Sequence, residues 1–131
     1  MSNHDDVRRI ALSLPQTLEE EGVFRFGVRD PSKPKFSFHT QSFVWALYDR
    51  PIPRKPRVIR PNVIALRVED LDEKAALLDA DPAKFFREPH YDGFPAVLVR
   101  LPAIGEDELR ELITDAWRSQ APRKLVRDSG R

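Results

Sequence analysis

Five cations crowd one short stretch of this chain. Arg50, Arg54, Lys55, Arg57 and Arg60 lie within Asp49 to Pro61, DRPIPRKPRVIRP, with no acid between Arg50 and Arg60. Arginine forks match phosphate oxygens two at a time, and lysine adds a point charge. The chemistry open to such a stretch is contact with a phosphate backbone. Pro51, Pro53, Pro56 and Pro61 exclude helix and central strand. They predict an extended, polyproline-like loop that spreads its charges along a line. A solubilising connection with no specific partner is the plainer use of the same residues.

A second group is scattered in sequence. Lys35, His39, Arg67 and Arg100 fall on the polar side of alternating segments, so they are expected on the sheet face turned away from the helices. His90 and Tyr91 begin a polar corner, His90-Tyr91-Asp92-Gly93, that leads into the most regular strand of the chain. Together these six residues outline a ligand site. The ordinary structural uses of the last two are a corner histidine bonded to backbone and a tyrosine packed over a strand end. His4 falls where a frayed, inert residue is expected.

Other chemistries lack their residues. With no cysteine there is no disulfide framework, thiolate nucleophile or cysteine zinc site. No Gly-x-Ser-x-Gly elbow occurs, and the five glycines are not spaced for a phosphate loop. Glu19-Glu20-Glu21 reads as a solvated charge run. The expectation is therefore no metal, no cofactor and no catalysis.

The elements that must position these groups follow from periodicity. Val7, Ile10, Ala11 and Leu14 make one helical stripe over Asp5 to Leu14, capped by Ser2 or Asn3 and stopped by Pro15. Val23 to Val28 reads as a strand in which Gly27 leaves room for a bend. Lys35–His39 and Phe43–Tyr48 read as a hairpin closed by Thr40-Gln41, with Phe36, Phe38, Phe43, Trp45 and Leu47 in the core. Val63 to Val68 resumes the sheet. A second helix starts at Asp70 with Glu73 at the capping-box position and a stripe of Leu71, Ala75 and Leu78. Asp81-Pro82 starts a further helical turn anchored by Phe85 and Phe86. Ala96 to Leu101 is a strand with Val97, Val99 and Leu101 on one face. Glu106 to Ser119 is a helix with a stripe of Leu109, Leu112, Ile113, Ala116 and Gln120 and Trp117 at its edge. Phe86 and Trp117 are expected to join that helix to the sheet. Residues 122–131 read as a basic, frayed tail.

Hairpin-linked strands and amphipathic helices imply an α+β two-layer sandwich, an antiparallel sheet with helices on one face. At 131 residues, 40% hydrophobic and 33% charged, the chain is expected to be one soluble domain spanning 1–131. No apolar run approaches the roughly 20 residues of a membrane helix, and MSNHDDVRR has no signal-peptide core, so a cytoplasmic protein is expected. A net charge of +1 means that affinity for nucleic acid must come from a local patch.

Several separated elements resemble the MmcQ/YjbR family from Val7 to about Val126. They are Leu14-Pro15 after the first helix, Phe24-Arg25-Phe26-Gly27, the segment around Glu88-Pro89-His90-Tyr91-Asp92-Gly93, and Ala116-Trp117 followed by Ala121-Pro122. The resemblance implies a CyaY-like fold and the label of DNA-binding that the family often carries. Two departures stand out. Ser42 replaces a lysine usual in the central hairpin turn, and the proline-rich loop is longer than usual. The fold also relates the chain to the iron-binding frataxins, but the first helix reads Asp5, Asp6, Arg8, Arg9 and lacks their acidic ridge.

The expected function is a non-catalytic, monomeric binding module that contacts duplex DNA weakly and without sequence preference through the basic loop. About four phosphate contacts would give a salt slope of about −3.6. The alternative is a small-ligand or protein-binding domain that uses the open sheet face and the His90 corner. A pocket with convergent polar groups would favour the alternative.

Overall fold

The computed structural model describes residues 1–130. Its centre is a six-stranded antiparallel sheet in the order β1-β2-β3-β4-β6-β5. The strands are β1 (Thr17–Glu19), β2 (Arg25–Val28), β3 (Ser42–Asp49), β4 (Val58–Arg67), β5 (Phe85–Phe86) and β6 (Ala96–Arg100). The helices are α1 (His4–Leu12), α2 (Phe38–Gln41), α3 (Leu71–Ala80), α4 (Glu106–Gln120) and α5 (Arg123–Ser129). This is the α+β sandwich that the periodicity implies.

The main core lies between the sheet and the helices. Val7, Ile10 and Ala11 of α1 meet Leu109, Ile113, Ala116 and Trp117 of α4 over Ile64, Leu66, Val97 and Val99. Asn3 caps α1 in a full capping box with Asp6. Trp117 is fully buried, not at an edge, and its indole N–H donates to the Pro15 carbonyl at 3.0 Å. A smaller cluster, Trp45, Leu47, Ala65, Ala96 and Leu98, occupies the opposite sheet face.

Several expectations need correction. Lys35–His39 is not a strand: Ser37 caps the short α2, its side chain accepting from the His39 N–H, and Phe36 and Phe38 are only half-buried. Phe36 instead lies against Gly27, where an added Cβ would sit 2.9 Å from its ring. The register of β2 on β3 shifts at Gly27, leaving Phe43 as an extra residue. Phe43 and Val44 both enter the main core, so Trp45 and Leu47 turn to the other face.

The proline-rich loop is shorter than the prolines suggest. β4 begins at Val58, and Pro61 and Asn62 fall in a wide irregularity between the pairs Tyr48–Ile59 and Ala46–Ile64. Proline can sit there because the ladder is interrupted. Asn62 adopts a left-handed φ of 63°, a conformation asparagine tolerates well. Within the loop, the Lys55 N–H donates to the Ile52 carbonyl at 3.2 Å and Arg54 has a φ of 67°. The segment is thus a turn, not an extended track.

Three further differences concern helices. In α3, Leu71 is exposed and the buried residue is Lys74, with Leu77 and Leu78 half-buried against the core. Asp81 caps a turn, but Phe85 and Phe86 form β5 on β6. The tail folds as α5, with Leu125 and Val126 packed on the core. No helix among the described residues is long and apolar enough to cross a membrane.

Candidate functional site

The sheet register builds a site on the open face. Arg25 pairs with Trp45, Trp45 with Ala65, Ala65 with Leu98, and Leu98 with Phe86, one row across five strands. Side chains of directly paired residues point the same way, so Arg25 and Trp45 stand side by side. Arg67 lies two residues beyond Ala65 on β4 and so faces the same side. The segment after β5 turns through the short 3₁₀ turn Pro89–Tyr91 and brings His90, Tyr91 and Phe94 over this row.

The result is a cleft of about 340 Å³ lined by Arg25, Phe38, His39, Ser42, Trp45, Arg67, His90, Tyr91 and Phe94. No carboxylate lines it. A second cleft of about 370 Å³ shares Arg25, Trp45, His90 and Tyr91, and adds Tyr48, Arg57, Arg60 and Glu88. The Trp45 indole N–H donates to the Tyr91 hydroxyl at 3.0 Å and fixes the shared wall. His90 stands edge-on to Tyr91 with ring centroids 4.9 Å apart.

Both central arginines carry a buried Nε with no hydrogen-bond acceptor, and they differ in their charge partners. Arg25 Nε is 3.7 Å from a Glu20 carboxylate oxygen, a loose pair. Arg67 has no acid partner among the described residues, and its buried Nε has no hydrogen-bond acceptor. Its guanidinium carbon lies 4.9 Å from the Phe94 ring centroid. Burial lowers the Arg67 pKa from its ordinary value, because the charged form loses water without gaining a counter-ion. An unpaired donor fork on an aromatic face is a ready seat for an anion.

The wall is held from behind. The Lys74 Nζ donates to the carbonyls of Tyr91 at 2.7 Å and Phe94 at 2.9 Å. A buried ammonium normally requires such partners, and here they are the backbone of the corner that carries the cleft's aromatic rings.

Of the six residues expected in a ligand site, His39, Arg67, His90 and Tyr91 come together. Lys35 lies in the exposed connection before α2, and Arg100 lies outside the cleft, 4.3 Å over the Phe86 ring. His90 is exposed, and the histidine bonded to backbone is instead His4, whose Nε2 lies 3.0 Å from the Val63 carbonyl oxygen. Arg25, Phe38, Ser42, Trp45 and Phe94 lie outside the expected set. The available signals were an arginine inside an apolar strand and an aromatic directly after Gly93.

The basic loop is only partly free. Arg60 is bound by Asp49 and by Glu88, which raises its pKa and lowers that of Asp49. Arg57 lies 5.8 Å over the Tyr48 ring. Arg50, Arg54 and Lys55 are exposed and have no acid partner among the described residues. No group of three histidine, aspartate or glutamate side chains among the described residues is arranged to hold a metal.

Comparison with known proteins agrees with this architecture. The YjbR family model matches residues 12–119. An uncharacterized protein of Mycobacterium tuberculosis and one of Mycobacterium bovis are each 34% identical, over 96% of this chain and 94% of theirs. A crystal structure of a Deinococcus radiodurans protein, described by the domain name DUF419, matches with a TM-score of 0.60 at 22% identity. It covers 99% of this chain and 89% of that one, and supports the fold.

Proposed function

The chain belongs to the YjbR family, and within that family we propose a non-catalytic binding module whose seat is the basic, aromatic cleft on the open sheet face. Its ligand is a small anion. The observation that carries this reading is Arg67, a half-buried guanidinium in the cleft whose Nε has no acceptor. A buried donor left unpaired is costly, so a ligand oxygen that meets it gains more than a surface contact would.

Calorimetric titration against a panel of small organic anions tests this. Replacing Arg67 by glutamine removes a charge-assisted contact and should weaken binding about 10- to 100-fold. Anion binding that is indifferent to Arg67→Gln would place the site elsewhere.

A second reading, weak duplex-DNA binding through the loop, rests on the exposed Arg50, Arg54 and Lys55. With Arg60 held by Asp49 and Glu88, about three phosphate contacts remain, for a salt slope of about −2.7. Replacing the three free cations together by glutamate should abolish binding in an anisotropy titration and leave the melting temperature unchanged. No binding of a labelled duplex at low salt would retire this reading.

A further inference from the structure

The composition of the cleft wall narrows the ligand class, on the premise that the cleft binds an anion. We infer that the ligand is a planar ring bearing a carboxylate or phosphate, with the anion on Arg67 and the ring against Tyr91 and Phe94. Neither half of such a ligand satisfies the cleft alone. A bare inorganic anion meets Arg67 but leaves the apolar wall wet, although Phe94 is 41% exposed at the mouth and Phe38 and Tyr91 are half-buried beside it. A neutral ring covers that wall but leaves the Arg67 donors unpaired in a drier setting than before.

The polar atoms fit the joint ligand. The Tyr91 hydroxyl accepts from the Trp45 N–H, so its own proton remains to donate to a ligand oxygen. The Arg67 guanidinium already lies over Phe94, and arginine stacks on further aromatic faces while its edge binds an oxyanion in two-pronged fashion. A volume of about 340 Å³ is that of a small-molecule site, and the adjoining cleft gives ring substituents room beyond His90.

The test separates the ring from the anion by isothermal titration with phenyl phosphate, benzoate, inorganic phosphate, acetate and neutral benzamide. Phenyl phosphate or benzoate should bind at least about tenfold more tightly than inorganic phosphate, acetate or benzamide, since each fragment forgoes one class of contact. Whichever of the two ring anions binds more tightly identifies the head group. Phe94→Ala should weaken the ring anion and leave inorganic phosphate unchanged, while Arg67→Gln should weaken both. Arg67→Lys, which keeps the charge, guards against a folding defect and should restore part of the loss. If inorganic phosphate binds as tightly as phenyl phosphate, the ring assignment falls and the anion site stands. If no anion in the panel binds, or binding survives Arg67→Gln, both fall.

Discussion

Replacing Phe85 by alanine should cost about 3–5 kcal/mol, whereas the same change at Phe86 should cost about 1–2 kcal/mol. The two neighbours sit on opposite faces of β5. Phe85 is 4% exposed and belongs to the main core beneath the helices. Phe86 pairs with Leu98 on the open face, where it is half-buried beneath the Arg100 guanidinium. Truncation of Phe85 leaves a cavity that the packed core cannot close, while solvent can fill the space left by Phe86 on the open face. In a domain of this size the first change should lower the melting temperature by on the order of 10 °C. Equal losses at the two positions, or a larger one at Phe86, would mean that β5 is set with the wrong face inward.

Lys74→Met should be the other costly change, at about 2 kcal/mol. The methionine keeps the packed aliphatic stem but removes both hydrogen bonds to the Tyr91 and Phe94 carbonyls, each worth more for being charge-assisted. Part of that loss is offset because no ammonium is then taken from water. The same balance gives a pH dependence. Burial lowers the Lys74 pKa from its ordinary 10.5, with Asp92 opposing that shift and Arg87 adding to it. The unfolded chain then binds the proton more tightly than the folded one, so folding carries a penalty while Lys74 is charged. That penalty lifts as pH rises through the folded pKa toward 10.5, and the neutral amine still donates to both carbonyls. Denaturant titrations at neutral and alkaline pH should show the advantage of Lys74 over methionine growing with pH. An advantage that shrinks over that range would show that the charge itself is favourable there.

What was legible in the sequence was whatever a single regular period decides. Val97, Val99 and Leu101 face the core as their alternation implies, the α1 stripe is buried, and Leu109, Ile113 and Ala116 of the α4 stripe are buried with Leu112 and Gln120 half-buried beside them. The errors begin where one residue breaks the period. Phe43 is an extra residue in β3, and that one insertion reverses the parity of Trp45 and Leu47. It moves Trp45 from the expected core to the floor of the cleft. Lys35–His39 alternates well enough to resemble a strand, but the Ser37 cap is a stronger local term and starts a helix. Lys74 was invisible because periodicity assigns a lysine to solvent, whereas here its partners come from a corner about twenty residues on. The site itself was half legible. His39, Arg67, His90 and Tyr91 could be named from alternation and the corner, but Arg25 joins them only through a strand order that local pattern does not contain.

The two tryptophans make the chain optically informative. Trp117 is sealed between α4 and the loop after α1, with its N–H on the Pro15 carbonyl. Trp45 is 9% exposed, lies beside Arg25, and forms part of the cleft wall. Intrinsic emission is therefore the sum of a buried fluorophore that responds only when the core opens and a cleft fluorophore that responds to whatever enters. Because the surroundings of Trp45 are cationic, iodide should reach it more readily than caesium, and neither should reach Trp117 while the domain is folded. One cuvette can thus follow occupancy and unfolding as separate signals, with no label attached.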